Sequence, residues 1–223
     1  MDFITNISKA FDHGGFVMWI IFVGQIVSLA IIAERFNALY LKRGLKNKKL
    51  AKAFETDIKK GNMTTVLNKA KSLGESQALG RVVEAGVQAA IDMGGKEEIQ
   101  SKMDEVLLSE NAILEKRTGF LAAIGNIGTL AGLLGTIIGL IESFNAVANS
   151  NPIEKATLLS EGISMAMYAT AYGLLMAIPA LVMYAVYQNR ATSLQEDINQ
   201  SSLMIFNWLS YGYEPVTKKR ILK

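Results

Sequence analysis

The sequence predicts an all-α membrane protein with three transmembrane helices, the second and third running on into a cytoplasmic helical bundle. Three observations carry that prediction. Half of the 223 residues are apolar, and they concentrate in three blocks without Asp, Glu, Lys or Arg: Phe16–Ala33, Phe120–Ile141 and Gly162–Tyr187. Each block reaches the roughly 18–20 residues that cross about 30 Å of hydrocarbon as a helix. Lys and Arg cluster behind the first block, at Arg35, Lys42, Arg43, Lys46, Lys48, Lys49 and Lys52, with only Lys9 before it. The long segment between the first two blocks contains no proline, and Gly61, Gly74 and Gly94-Gly95 cut it into helix-length pieces.

Composition narrows the function. There is no cysteine and a single histidine, His13, so thiolate or Cys-type zinc sites and a Ser/His/Asp triad have no material to work with. No cofactor is expected. From Lys42 to Arg117 there are 15 Lys/Arg and 11 Asp/Glu, a mixed surface rather than a nucleic-acid footprint.

The elements follow in order. Residues 1–15 place Phe3, Ile4, Ile7 and Phe11 on one helical face, suited to an amphipathic helix on the outer membrane surface, with a frayed terminus as the alternative. Residues 16–41 form the first span. A signal peptide would carry its positive charge before the apolar run, whereas here the charge follows, which puts the N-terminus outside and residue 40 onward in the cytoplasm. The pair Glu34-Arg35 closes this span as a snorkelling anchor at its inner end. Residues 42–96 form a cytoplasmic helical lobe. Residues 97–148 read as one long helix of about 75 Å that includes the second span, with Ile99, Met103, Val106, Leu107 and Ile113 at helical spacing. Residues 149–161 are an outer loop with Lys155 alone for positive charge. Residues 162–210 form a second long helix whose stripe Leu194, Ile198, Ile205 and Leu209 continues the third span, and residues 211–223 are a cytoplasmic tail with Lys218, Lys219, Arg220 and Lys223. Helices of this length need neighbours, so an oligomer or bundle is implied.

The second block carries glycines at Gly125, Gly128, Gly132, Gly135 and Gly139, spaced 3, 4, 3 and 4. Each glycine costs a helix about 1 kcal/mol relative to alanine. In lipid, where helices are not driven together by hydrophobicity, small residues supply association by close packing. The third block answers with Ala166, Ala169, Thr170, Gly173 and Ala177, so both helices present a packing seam. Thr136 and Thr170 lie about six and eight residues inside the outer ends of their blocks, roughly 10 Å deep on antiparallel helices, and Thr129 is one heptad below Thr136. Matched hydroxyls suggest a polar lining. The alternative is that each bonds its own helix at i−3 or i−4. No ionisable group lies at that depth, because Glu142 and Glu161 sit at the outer ends, so a conducting lining would need a partner helix to bring its acid.

These residues resemble the ExbB/TolQ/MotA proton-channel subunits of bacterial inner-membrane motors. GLLGTIIGLIESF (132–144) is similar to the family's second-helix motif, ATAYGLLMAIPALVMY (169–184) to its third-helix motif, and AERF (33–36) to the Glu-Arg that closes its first helix. Three spans and a short chain look more like ExbB or TolQ than MotA. The resemblance implies an inner-membrane homopentamer, N-terminus periplasmic and C-terminus cytoplasmic, around a dimer of single-span ExbD/TolR-like subunits, with a TonB/TolA-like protein as a third component. It implies that a membrane aspartate on the partner carries the proton past Thr136 and Thr170, turning proton-motive force into mechanical work for energised transport, envelope maintenance or motility. One position departs from the pattern: many ExbB and TolQ chains carry a glutamate five residues before the third-helix threonine, where this chain has Met165. Either the partner's acid suffices, or Glu142 or Glu161 compensates, or the coupling ion differs, in that order.

A passive membrane scaffold would keep the glycine seams without needing Thr136 and Thr170 matched in depth. A secondary transporter would show an internal repeat or a buried charge, and an enzyme a nucleophile, an acid pair or a phosphate loop. Neither signature stands out.

Overall fold

The computed structural model describes residues 15–41, 43–44, 47–74, 77–92, 94–148 and 150–211. All but the last residue of the expected amphipathic segment 1–15, His13 included, and nearly all of the 211–223 tail lie outside the described residues. Among those described, the chain forms helices and no strand: α1 (Gly15–Phe36), a π-helical turn (Asn37–Leu41), α2 (Asn47–Lys59), α3 (Met63–Gly74), α4 (Ala78–Ile91), α5 (Lys96–Glu115), α6 (Thr118–Ala148) and α7 (Lys155–Ser210). Three stretches are long and apolar enough to cross a membrane, within Phe16–Leu41, Lys96–Ala148 and Lys155–Ser210. Their most apolar windows are only 17–28 % buried by the chain itself, so most of each span is left for lipid or for other chains.

Contacts divide the chain into two compact units. One holds α1, α6 and α7 as far as Gln188; the other holds the π-helical turn, α2–α5 and α7 from Asn189. In the first, α1 packs through Val17 and Ile21 against Met176, with Ile124, Ala131 and Tyr172 around them, and through Met18 against Ala169. Gly24 lies against the Met176 side chain: a β-carbon there would come within 2.7 Å of the Met176 methyl, which would have to shift.

The second unit has a core of Phe54, Ile58, Val66, Val82, Val83, Val87, Ile99, Met103, Ile198, Ile205 and Leu209. Its breaks fall where the glycines stand. Gly61 turns the chain between α2 and α3 at φ +76°, a conformation that a β-carbon disfavours, and Gly95 caps α5. Ile113, placed on the core stripe by spacing, is instead 45 % exposed, and Glu110 and Leu114 are buried. The stripe therefore runs Met103, Leu107, Glu110, Leu114, with an acid in a core position. Arg81 and Arg43 satisfy that acid at 2.7 and 3.2 Å, which is what buries it.

Two expected boundaries shift. The single helix 97–148 is two helices, separated at Lys116 and Arg117, where Lys116 has ψ 130° and Arg117 φ +64°. No glycine or proline marks this turn. The third long helix begins at Lys155 rather than 162: the Asn151 carbonyl accepts from the N–H groups of Glu154 and Lys155, starting the first turn just after Pro152. It then continues through Pro179, a proline that membrane helices accommodate more readily than soluble ones.

Candidate functional site

The five regularly spaced glycines of α6, Gly125 to Gly139, all meet α7 within the same chain. A β-carbon on Gly125 would fall 2.6 Å from Leu181 Cγ, on Gly128 3.2 Å from the Gly173 carbonyl, on Gly132 3.2 Å from the Ala169 carbonyl, on Gly135 2.7 Å from Ala169 Cβ, and on Gly139 3.1 Å from Ala166 Cβ. Residue numbers rise on one helix as they fall on the other, so the pair is antiparallel. Gly173 returns the contact, its missing β-carbon lying against Gly128 and Gly132, and the Ala177 carbonyl lies 3.4 Å from the Gly125 position. Ser143 closes the far end by packing directly on Gly162. The seam that spacing suggested is thus an intrachain hairpin seam, which is a narrower statement than a contact between subunits.

The three threonines edge this seam. Thr170 Oγ1 donates to the Gly132 carbonyl at 3.1 Å, the same carbonyl that an α-helix pairs with the N–H of Thr136. Thr136 and Thr170 are accordingly within about one helical turn, roughly 5 Å, of a common depth. Thr136 Oγ1 donates to its own helix, to the Leu133 carbonyl at 2.6 Å, and Thr129 Oγ1 to the Asn126 carbonyl at 2.8 Å. Self-bonding and lining are not exclusive here, because all three side chains remain half-buried. Their neighbours Leu130, Leu133, Ile137, Met167 and Leu174 are exposed. On the other edge of the seam stand Gly135 and Ala169, against Val17 and Met18 of α1. The threonine edge is the one that α1 leaves uncovered.

Met165 belongs to a different stripe. Residues 165, 169, 172 and 176 recur at 4, 3 and 4, and the last three pack with Val17, Met18 and Ile21 of α1. Met165 itself is half-buried, one turn before Ala169 on that stripe. Glu142 and Glu161 are both exposed, at the ends of the apolar stretches rather than beside the threonines.

Glu34 and Arg35 do more than end α1. Arg35 is 4 % exposed, turned inward rather than snorkelling, and lies 3.1 Å from Glu34 Oε1. Glu34 Oε2 receives the guanidinium of Arg117 at 2.7 Å. The pair therefore ties the end of α1 to Arg117, the left-handed residue just before α6. Arg35 also completes a stripe not singled out from sequence: Met18, Ile21, Gln25, Ser28, Ile32 and Arg35 repeat at 3, 4, 3, 4 and 3. Met18, Ile21, Ser28 and Arg35 are buried. Tyr187 adds a further tie, its hydroxyl donating to the Ile32 carbonyl at 2.8 Å from a fully buried position. The heptad spacing of polar residues inside an apolar block was the signal available for this face.

Comparison with known proteins gives the family and the fold. Residues 74–200, more than half of the chain, match the MotA/TolQ/ExbB proton channel family. The chain belongs to that family. The biopolymer transport protein ExbB of Pseudomonas putida is 25 % identical over 87 % of this chain, which spans 60 % of that protein's length. ExbB of Salmonella typhimurium is also 25 % identical, over 87 % of this chain and 82 % of its own. The Tol-Pal system protein TolQ of Pseudomonas aeruginosa is 35 % identical over 44 % of this chain and 42 % of its own. Among solved structures, that of C. jejuni MotAB contains a chain of similar fold, with a TM-score of 0.61 at 16 % identity, over 95 % of this chain and 87 % of that one. Residues 125–177, which hold both the glycine seam and the threonine edge, lie within the segment that matches the family.

Proposed function

We propose that this chain is the multi-span stator subunit of a proton-driven motor in a bacterial inner membrane. A dimer of single-span ExbD/TolR-like partners occupies the pore of a homopentamer. An acid on the partner helix carries the proton past Thr136 and Thr170, and the resulting relative motion performs work on a periplasmic or outer-membrane system, in some settings through a TonB/TolA-like third component. The observation that carries this reading is a mismatch within the membrane unit. Its hairpin leaves a threonine edge open among exposed apolar side chains, yet none of the three apolar blocks contains Asp, Glu, Lys or Arg. A proton path lined this way needs its titratable group from another chain. Membership of a proton channel family supports the ion, and the Lys/Arg bias behind the first span supports a cytoplasmic C-terminus.

A passive scaffold is the second reading, favoured by the seam alone. Thr136→Ala and Thr170→Ala, each co-expressed with the partner, distinguish the two by proton flux. The motor reading expects flux to fall at least tenfold in each variant with the assembly intact, whereas unchanged flux in both supports the scaffold.

A further inference from the structure

Charge is mixed over the helical lobe as a whole but segregated on α2. Ala51, Phe54 and Ile58 set one face of this helix into the lobe core. Away from that face, Lys48, Lys49, Lys52 and Lys59, with Lys60 just after them, are all exposed. The two acids of α2 are already matched: Glu55 pairs with Lys59 at 2.6 Å and Asp57 with Lys69 of α3 at 3.4 Å. Among the described residues no acid pairs with Lys48, Lys49 or Lys52. Lys48 and Lys52 stand one turn apart on the same side of the helix.

This basic face begins close to the end of a membrane span and is held there. The first apolar stretch ends at Leu41, where Tyr40 and Leu41 are exposed, and Lys48 follows within about 25 Å of extended chain. The link between them is tied to its own unit at three points. Arg190 of α7 lies over the Tyr40 ring at 5.1 Å, its guanidinium 3.5 Å from the Leu39 and Arg43 carbonyls. Arg43 pairs with the buried Glu110 at 3.2 Å. The Asp197 carboxylate accepts from the Asn47 N–H at 3.1 Å, at the start of α2. The lysines therefore stand on a fixed surface rather than on a loose basic linker.

We propose that the Lys48, Lys49 and Lys52 face of α2 binds the anionic phospholipid headgroups of the leaflet in which the first span ends. This rests on the membrane-spanning reading and is independent of the motor. An uncompensated row of ammonium groups recognises negative charge, and beside a span end the anionic surface within reach is the bilayer itself. Juxtamembrane lysines gain about fivefold in affinity each from an anionic leaflet, an attraction that fades beyond roughly one Debye length. Exposed Tyr40 and Leu41 add the aromatic and apolar anchor that suits the headgroup boundary. Lipid charge, as well as hydrocarbon thickness, then sets how the inner end of this span is seated.

The test titrates the full-length chain in neutral detergent with phosphatidylglycerol or phosphatidylcholine of the same acyl chains, and reads bound lipid by native mass spectrometry. The expected result is that phosphatidylglycerol binds at least tenfold more tightly, in line with two or more lysines reaching the headgroups. Lys48→Gln/Lys52→Gln, at exposed positions that the fold does not depend on, loses most of that preference, and Lys48→Arg/Lys52→Arg keeps it. Lys71→Gln/Lys102→Gln removes the same charge from α3 and α5 and leaves the preference unchanged. Soluble glycerol phosphate in excess does not displace the lipid. Equal binding of the two lipids, or an equal loss in the Lys71/Lys102 variant, overturns the assignment. So does displacement by glycerol phosphate, which would mark a free-phosphate site. A preference that survives Lys48→Gln/Lys52→Gln also overturns it and leaves the face to a soluble acidic partner. None of these results bears on the proton-flux test of the motor reading.

Discussion

Arg117 shows how one residue can shape a boundary that the sequence hides. A non-glycine residue at φ +64° carries a penalty of about 1 kcal/mol or more from its β-carbon, here opposed by the 2.7 Å contact with Glu34. Arg117→Ala keeps the strain and loses the contact, whereas Arg117→Gly loses both. Thermal unfolding in detergent should therefore rank Arg117→Gly above Arg117→Ala by about 1 kcal/mol. Equal stabilities for the two variants would mean that the left-handed turn is not maintained. At this scale the sequence was only partly legible. Thr136 and Thr170 stood out by position, but which carbonyl each hydroxyl would choose depends on interhelical distance. The acid at Glu110 disguised a core register because a charge is rarely buried without partners, and its partners Arg43 and Arg81 lie 67 and 29 residues away.

Among the elements, the α6–α7 hairpin is the one whose sequence pattern and contacts correspond most directly. Glycine at 3 and 4 spacing has one physical use in a membrane helix, to let another backbone approach, and each of the five glycines has an α7 neighbour where a β-carbon would sit. The spacing could not say whether that neighbour belonged to the same chain. Because it does, Gly132→Leu should disrupt the hairpin within each subunit and lower the yield of folded monomer, with loss of assembly following from that. Gly119, at the start of the same helix, has nothing within 4 Å of its β-carbon position. Gly119→Ala should be neutral or stabilise by up to about 1 kcal/mol through helix propensity. Both are measured by detergent unfolding with native mass spectrometry, and similar destabilisation by the two substitutions would contradict a seam specific to α7. The Lys116–Arg117 break carries no sequence signal, because no glycine or proline stands at it and helical periodicity continues on either side.

For the whole molecule, apolar block length alone made the three spans legible, because the bilayer thickness is a fixed requirement. The helical lobe was legible from its glycine breaks, Gly61 above all. What sequence could not supply was the face on which each span leaves room. The membrane unit answers this by packing α1 on one edge of the hairpin through Val17, Met18 and Ile21 and leaving the threonine edge bare. That asymmetry, in apolar blocks without Asp, Glu, Lys, Arg or His, is the basis for assigning the proton-carrying acid to another chain. The decisive measurement is proton flux across vesicles under an imposed pH gradient, made with this chain alone, with its single-span partner, and with the partner's membrane acid replaced by its amide. The account predicts flux only in the second case; proton conduction by this chain alone, or undiminished conduction with the amide, would contradict it.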